Sequence, residues 1–305
     1  MRVALFGGTG FVGSYLVDAL VAAGHDPALL VRPGSEAKVR HADRCRIVAG
    51  DIGDDKAVVE TLSYCDAAIY NIGILRELPD QGITFKALQY DGVMRVAERS
   101  MESGVKRFLL MSANGVKPNG TPYQETKYLA ERFVAQSEME YTIFRPSIVF
   151  GDPRGRMEFC TQLRDEMIRP PIPAPNFFTG ISPSTGGFSM SPVHVRDVVE
   201  AFVRSLPDPT TYSATYTLCG PEAVAWPDII RRIAAACGRR KLILPAPAGL
   251  VGAVASVFDR FSWFPVTRDQ LTMLTEGNTG DSSEVFADFG IQPSPFDDQH
   301  LSYLR

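Results

Sequence analysis

The sequence is poor in cysteine, tryptophan and histidine, and it has no marked excess of charge of either sign. Its 305 residues include five cysteines, two tryptophans and four histidines, and the net charge at pH 7 is −4. Proteins that bind nucleic acid are normally basic, so we expect no nucleic-acid partner. The cysteines are scattered and form no CxxC pair. This pattern predicts reduced thiols, no metal site and a cytoplasmic location.

Long uninterrupted hydrophobic runs are also missing. The longest apolar stretch, around Leu244 to Phe258, contains two prolines and two glycines and is short for a membrane span. The chain enters a strand pattern at once, so we expect no signal peptide. Any association with a membrane is therefore expected to be peripheral. A hydrophobic content of 45% and a charged content of 22% are ordinary for a globular protein of one large or two modest domains.

Glycine is concentrated at the beginning, in "MRVALFGGTGFVGSYLVDALVAAG". The apolar run before the glycines predicts a buried parallel strand, and the spacing of apolar residues after them predicts a helix that stops at Gly24. A strand-to-helix turn rich in glycine lets backbone N–H groups approach a phosphate at the positive end of the helix. The alternative is a plain glycine-rich turn. As residues contacting a dinucleotide cofactor we predict Gly7, Gly10, Phe11, Val12 and Gly13.

Strand and helix patterns alternate through the first half of the chain. This alternation predicts a doubly wound parallel α/β sheet with a small, mostly C-terminal substrate lobe. We assign residues 1–150 to the dinucleotide-binding domain, with 190–220 returning to it. The lobe then comprises 151–189 and 221–305. Its segment "RPPIPAPNFFTGISPSTGGF" has no period and is predicted to be a loop or lid.

Aromatic residues are dense in this second part of the chain. Core packing is one interpretation of them, and an apolar substrate or an apolar docking surface is the other. The residues concerned are Phe177, Phe178, Phe188, Phe258, Phe261, Trp263 and Phe264.

A second informative stretch is "SANGVKPNGTPYQETKYLAERF". Thr121 and Gln124 form a capping-box pattern that predicts the start of a helix, so Tyr123 and Lys127 share one helix face. Ser112 follows a predicted strand directly, at the edge of the sheet where such folds bind ligands. A serine hydroxyl can orient a reacting oxygen, and a tyrosine whose pKa is lowered by a neighbouring ammonium can exchange a proton with it. The alternative for the Tyr–Lys pair is a surface helix pair.

These motifs together resemble the short-chain dehydrogenase/reductase superfamily in its extended and atypical branches. The resemblance rests on the Tyr123/Lys127 pair and on "GGTGFVG", "GDIGD", "NIG", "RPSIVFG" and "HVRDVVEA". The chain is most similar to the atypical group of the nucleotide-binding accessory subunit of mitochondrial complex I and its bacterial relatives. The resemblance implies that Ser112, Tyr123 and Lys127 act together in catalysis and that Lys127 also holds the nicotinamide ribose. Gln89 stands where many relatives carry an asparagine.

The end of the second predicted strand indicates which cofactor is preferred. NAD-binding proteins usually place an acid there to hold the ribose hydroxyls, whereas this chain has Arg32. A guanidinium can pair with the 2′-phosphate of NADP, so we predict NADP, with NAD as the alternative. Asp51 and Ile52 match the family's adenine-contacting pair, although Asp51 also suits a simple turn. Gly73 would let the backbone approach the cofactor.

Three functional hypotheses remain open at this point. The first is an NADP-dependent oxidoreductase acting on a carbonyl/alcohol pair or a quinone-like apolar molecule. The second is a non-catalytic NAD(P)H-binding accessory or assembly protein that docks on a membrane or respiratory complex. The third is a nucleotide-sugar epimerase or dehydratase. His194 resembles a catalytic base, but a structural role is favoured. The sequence does not indicate the oligomeric state.

Overall fold

The computed structural model describes residues 1–179, 187–249 and 268–305. Its main feature is a seven-stranded sheet in the order β11-β6-β5-β4-β1-β2-β3, in which β1 to β6 pair in parallel. The strands are β1 (Arg2–Phe6), β2 (Asp26–Val31), β3 (Arg46–Ala49), β4 (Ala67–Tyr70), β5 (Arg107–Met111), β6 (Glu140–Pro146) and β11 (Ala214–Leu218). The strand order reverses direction at β1, between β2 and β4, as in doubly wound folds. The predicted fold class is confirmed.

Helices connect these strands, and local signals fix their ends. They are α1 (Phe11–Ala22), α2 (Asp55–Leu62), α3 (Gly92–Glu102), α4 (Pro122–Ala135) and α6 (Val195–Ser205). Gly24, with φ +75°, follows the end of α1 as predicted. The Asp54 side chain caps α2, and the capping box of Thr121 and Gln124 is present at the start of α4. Apolar faces of these helices and both faces of β4 and β5 form the core.

A buried arginine ties the amino end of β5 to distant parts of the chain. The Arg107 guanidinium donates hydrogen bonds to the carbonyl oxygens of Glu140, Ser205 and Leu206 and to the Thr211 hydroxyl. Burial lowers its pKa to about 10, so it stays charged at neutral pH. Because neutral oxygens surround the buried charge, its desolvation is offset by hydrogen bonds and not by a carboxylate partner.

The chain divides into two compact units. Unit 1 comprises Met1–Pro146, Val195–Thr217 and Val285–Ile291, and unit 2 comprises Ser147–His194, Leu218–Glu284 and Gln292–Arg305. Among the described residues of unit 2, strands pair two by two: β10 (Val193–His194) with β7 (Val149–Phe150), β12 (Val224–Ala225) with β9 (Ser189–Met190), and β13 (Ile243–Pro247) with β8 (Ala174–Phe178). The other α-helices described are α5 (Phe159–Leu163), α7 (Trp226–Ala236), α8 (Arg268–Glu276) and α9 (Ser283–Asp288).

The prediction of a loop or lid in the proline-rich segment is wrong for part of it. Residues Ala174–Phe178 form β8, which pairs in parallel with β13. Phe177 and Phe188 are buried against Trp226, with ring centroids 6.0 and 5.6 Å from the indole. A two-stranded pairing tolerates its prolines because outer strand edges need no hydrogen-bond donor. These rings are core and do not form an apolar surface.

The later aromatic cluster of Phe258, Phe261, Trp263 and Phe264 lies outside the described residues. Within the three described stretches of chain, no helix has both the length and the apolar character needed to cross a membrane.

Candidate functional site

The glycine turn between β1 and α1 is closed by contacts within the chain. The amide of Gly10 donates to the carbonyl of Gly7 over 3.1 Å. A Cβ on Gly13 would lie 2.0 Å from that carbonyl oxygen, and one on Gly7, where φ is +99°, would lie 2.8 Å from the Asn71 oxygen. Gly7 and Gly13 are therefore required by the packing of the turn itself.

Gly10 is different, because a side chain at this position would not clash with the described part of the chain. A Cβ there would have the Gly7 oxygen at 3.4 Å as its nearest neighbour. Gly10 is the N-cap of α1 and supplies no side-chain cap to the amides that follow it, at Phe11 and Val12. The first turn of this fully described helix also has no acidic residue. An open, uncapped and positive helix end fits a phosphate group.

The turn after β2 carries the cation predicted for the 2′-phosphate. Arg32 is exposed, and its guanidinium has neither an ion pair nor a hydrogen bond with a described residue. The amide of Ser35 donates to the Arg32 carbonyl, which closes the turn around Gly34. The side chain is thus available to a ligand anion at the same carboxyl edge of the sheet as the glycine turn.

Two further predicted cofactor residues follow β3. Asp51 is exposed, and its Oδ1 accepts a hydrogen bond of 3.0 Å from the Gly53 amide, so it does form a turn. Ile52 is buried in the unit 1 core. Its carbonyl accepts a hydrogen bond from Arg95, which also pairs with Asp55 of α2. The structure therefore gives both residues a local role beside the one predicted.

Two of the residues predicted to be catalytic, Ser112 and Lys127, line one pocket at the carboxyl end of β5. Lys127 is buried in α4, and its Nζ donates to the Met111 carbonyl over 3.1 Å. A Cβ on Gly73 would lie 3.8 Å from the same Nζ. Ser112 lines one small pocket together with Met111 and Lys127. Its buried hydroxyl has no hydrogen-bond partner among the residues that the structure describes.

Tyr123 lies on the same face of α4, one turn before Lys127. The Lys127 Nζ is 5.7 Å from the centroid of its ring, and Phe85 packs edge-on against the ring at a centroid distance of 5.7 Å. The nitrogen therefore lies near the ring and is hydrogen-bonded to a backbone carbonyl.

The expectation that Lys127 lowers the pKa of Tyr123 is wrong for this arrangement. Burial raises the pKa of Tyr123 well above its ordinary value. Burial also lowers the pKa of Lys127 to about 8, against a smaller opposing effect of the Glu131 carboxylate. Desolvation disfavours both charged forms, and it outweighs the attraction that spacing alone suggested. The group that titrates near neutral pH is thus the lysine.

Gln89 sits in a π-helical segment, Lys86–Asp91, that the sequence did not reveal. Its buried amide donates to the Ile74 carbonyl over 2.8 Å, and its Oε1 accepts from the Thr126 hydroxyl. It thereby joins the loop after β4 to α4 between Tyr123 and Lys127. Both ends of the amide are thus engaged, and Gln89 lines the same pocket as Ser112 and Lys127.

A second supporting contact was also missed by the sequence reasoning. The buried carboxylate of Glu131 accepts two hydrogen bonds from the Arg145 guanidinium, one of them 2.8 Å long. Glu131 follows Lys127 by one helical turn, and that spacing was the only sign of it in the sequence.

His194 belongs to unit 2, where it is buried. Its ring packs against Phe150 and His300, with centroid distances of 5.1 and 5.4 Å. These contacts agree with the structural role favoured for it.

A family model described as NAD(P)H-binding matches residues 7–170, more than half of the chain. The chain belongs to this NAD(P)H-binding family. The match begins at the first glycine of the turn and runs beyond Lys127. It establishes a nicotinamide dinucleotide as the cofactor class, without distinguishing NADP from NAD.

Curated relatives of this NAD(P)H-binding protein extend over nearly its full length. The 40 kDa subunit of mitochondrial NADH-ubiquinone oxidoreductase from Neurospora crassa is 26% identical, over 99% of this chain and 78% of that protein. Photosystem II assembly factor Ycf39 from Synechocystis is 23% identical, over 96% and 86%. Ceramide reductase from Caulobacter vibrioides is 23% identical, over 85% and 78%. The predicted similarity to the complex I accessory group is confirmed.

Solved structures agree on the fold. The UDP-glucose 4-epimerase of Thermus thermophilus in complex with NAD superposes with a TM-score of 0.74 at 18% identity, covering 100% of this chain and 97% of that one. At this identity the likeness shows the doubly wound α/β fold alone.

Proposed function

We propose that this protein is an NADP-dependent oxidoreductase that interconverts a carbonyl group and an alcohol. The observation that carries the proposal is the buried, unpartnered hydroxyl of Ser112 beside Lys127 at the carboxyl edge of β5. A buried polar group without a partner costs free energy, roughly 1–3 kcal/mol, and such groups persist where a ligand completes them. A substrate oxygen would supply the missing partner.

The same edge of the sheet offers the groups that would hold the cofactor. The α1 amides at Phe11 and Val12 would bind the pyrophosphate, and Arg32 would bind the 2′-phosphate. Asp51 and Ile52 would flank the adenine, while Gly73 and Lys127 would approach the nicotinamide ribose. A bound nicotinamide supplies or accepts the two electrons of the redox step.

In this proposal the chain's own residues handle the proton. Ser112 would donate a hydrogen bond to the carbonyl oxygen and so orient it. The Tyr123 phenol, which stays protonated at neutral pH, would give its proton to that oxygen as the carbonyl is reduced. Lys127, whose pKa is about 8, would hold the ribose and return a proton to the site.

For the substrate we propose a carbonyl on an apolar molecule. The support is the similarity to the ceramide reductase of Caulobacter over 85% of the chain. The phenylalanines of the proline-rich segment give no support, since Phe177 and Phe188 are core residues.

A second candidate is an NAD(P)H-binding accessory or assembly protein without turnover. It is favoured by the Lys127 Nζ bonded to the Met111 carbonyl and by the Tyr123 phenol with a raised pKa, which together leave the pair unactivated. The similarity to the 40 kDa subunit and to Ycf39 also supports it. In this role the cofactor would stabilise the fold and shape a surface for a partner.

Tyr123→Phe distinguishes the two candidates. If the protein is an oxidoreductase, the variant should lose about 10²–10⁴-fold in turnover of NADPH with a panel of ketones, aldehydes and quinones, because the change removes only the proton-bearing oxygen. NADPH affinity, measured by fluorescence titration, should stay within about twofold. Tyr128→Phe, one residue beyond Lys127 on another face of α4, is the matched control.

An unchanged rate in Tyr123→Phe with a substrate that the wild type turns over would overturn the oxidoreductase proposal. Tight NADPH binding without turnover of any compound in the panel would favour the accessory role.

A further inference from the structure

In the described part of unit 2, large aliphatic side chains are exposed at one end of the β8–β13 ribbon. Ile172 and Leu242 are each 64% exposed, and Leu244 is 48% exposed. The Ala174 amide donates to the Leu242 carbonyl over 2.8 Å, and Ile243 is in register with Ala174. Ile172 lies two residues before Ala174, so this pairing brings all three side chains to one end of the β8–β13 ribbon.

The strand alternation explains why these residues are outside. Ala174 is buried and Ile243 packs against the unit 2 core. Successive side chains of a strand point to opposite faces, so Leu242 and Leu244 project from the other face of β13. The exposed side of the ribbon thus carries two leucines in addition to the apolar residues on its buried side.

Positive charge borders the same end of the ribbon. Arg239 and Arg240 are exposed, and neither is ion-paired with a residue in the described ranges. The Arg239 guanidinium donates to the Arg169 carbonyl, and Lys241 donates to the carbonyls of Ile168 and Pro170. These hydrogen bonds hold Arg239 and Lys241 next to residues 168–170, shortly before Ile172.

The Asp165 carboxylate, on the segment before Arg169, does not cancel this charge. The Asp165 carboxylate is already paired with Arg164 and with Arg169. The surface made of Ile172, Leu242, Leu244, Arg239 and Arg240, here the aliphatic–arginine surface, is therefore basic on a chain whose net charge is −4.

We propose that the aliphatic–arginine surface docks on an anionic lipid bilayer. Aliphatic side chains gain free energy when they enter the acyl boundary, and each arginine near an anionic leaflet adds attraction. An acidic protein is the less suitable occupant, because leucine is under-represented among the hot spots of protein–protein interfaces. The inference is independent of the proposed oxidoreductase activity, since no residue of the surface belongs to unit 1.

Vesicle sedimentation tests it with the full-length protein. The wild type should sediment with vesicles of equal parts phosphatidylcholine and phosphatidylglycerol, and much less with phosphatidylcholine alone or at high salt. Leu242→Ser/Leu244→Ser and Arg239→Gln/Arg240→Gln should each weaken binding to the mixed vesicles by about tenfold or more. All four positions are at the surface, and unchanged melting temperatures and NADPH affinities would show that the variants fold.

Matched controls change the same chemistry elsewhere. Val59→Ser/Leu129→Ser removes two exposed apolar side chains, and Arg44→Gln/Arg132→Gln removes two exposed cations, all in unit 1. Both controls should bind vesicles like the wild type. The proposal is overturned if the wild type ignores anionic vesicles, as a surface for an acidic protein would, or if the controls lose as much binding as the surface variants.

Discussion

One exposed guanidinium, that of Arg32, is the side chain expected to select the cofactor. Arg32→Glu should weaken NADPH binding by about 2 kcal/mol or more, roughly 30-fold, because it removes charge-assisted hydrogen bonds and adds repulsion. NADH, which lacks the 2′-phosphate, should lose far less. Isothermal titration of both cofactors measures the difference. Arg44→Glu, an exposed arginine on the same β2–β3 connection, controls for the change in overall charge; equal losses for the two cofactors would refute the phosphate role.

Lys127 makes stability depend on pH in a predictable direction. Its pKa is about 8 in the folded protein, whereas an unfolded lysine titrates near about 10.4. Between these values the unfolded chain binds a proton that the folded chain has released, so the free energy of unfolding rises with pH across this window. The full effect is roughly 3 kcal/mol. Below about pH 8 the buried Lys127 is protonated in the folded protein, so this additional free energy of unfolding is absent.

Lys127→Met should remove this rise and should be more stable than the wild type near neutral pH, because Glu131 keeps its partner Arg145. Urea unfolding at several pH values measures both chains. Buried tyrosines and cysteines with raised pKa values act in the opposite direction, so the comparison rests on the difference between the two chains. Parallel curves would show that the lysine is not desolvated as described.

Within the glycine turn, Gly10 and Gly13 differ in whether they can accept a side chain without disturbing the fold. Gly10→Val should fold, with its melting temperature within a few degrees of the wild type, yet lose NADPH affinity by at least about 100-fold, because the new side chain occupies the phosphate approach. Gly13→Ala should instead destabilise the protein by several kcal/mol, since its Cβ would lie 2.0 Å from the Gly7 oxygen. Thermal melting with and without NADPH separates the effects. Wild-type affinity in Gly10→Val would remove the turn from the cofactor site.

Most regular elements of unit 1 could be predicted from the sequence because their signals are local. Buried parallel strands such as β4 are continuous apolar runs, and the capping box indicates where α4 begins. β8 could not be predicted, because its two neighbouring prolines and its partner β13, some 70 residues later, leave no local strand pattern. The π-helical segment at Gln89 also lacked a sequence signal, because its residues, KALQYD, suit an ordinary α-helix equally well.

Candidate site residues could be chosen from the sequence, but their electrostatics could not be. Ser112, Tyr123 and Lys127 could be chosen from spacing and from position after a strand. The acceptor of the Lys127 Nζ, however, is the Met111 carbonyl, and a backbone oxygen leaves no mark in the sequence. Desolvation depends on everything packed around α4, so neither pKa shift could be read from the i,i+4 pair.

For the whole molecule, cofactor binding should stabilise one unit. Every residue proposed to hold NADPH belongs to unit 1. NADPH at about 100 times its dissociation constant should add roughly 2.7 kcal/mol to the stability of the part that binds it. Hydrogen exchange should slow in segments 7–13 and 107–127 and change little in 218–236. Gly10→Val should show no such slowing. Equal slowing in both units would contradict a cofactor site built from unit 1 alone.

Arg107 also sets an order of events for a chain growing on a ribosome. Its acceptors at Ser205, Leu206 and Thr211 lie 98, 99 and 104 residues downstream. Once β5 and β6 have been synthesised but residues 205–211 have not, the guanidinium has only the Glu140 carbonyl of its four partners. It must therefore remain hydrated, because burying an unpartnered charge is costly. The amino end of β5 therefore cannot be fully buried when only the first six strands of the sheet have been synthesised. This end can pack only after the chain has returned through α6 and β11. In a nascent protein halted before Thr211, we therefore expect the amino end of β5 to remain hydrated.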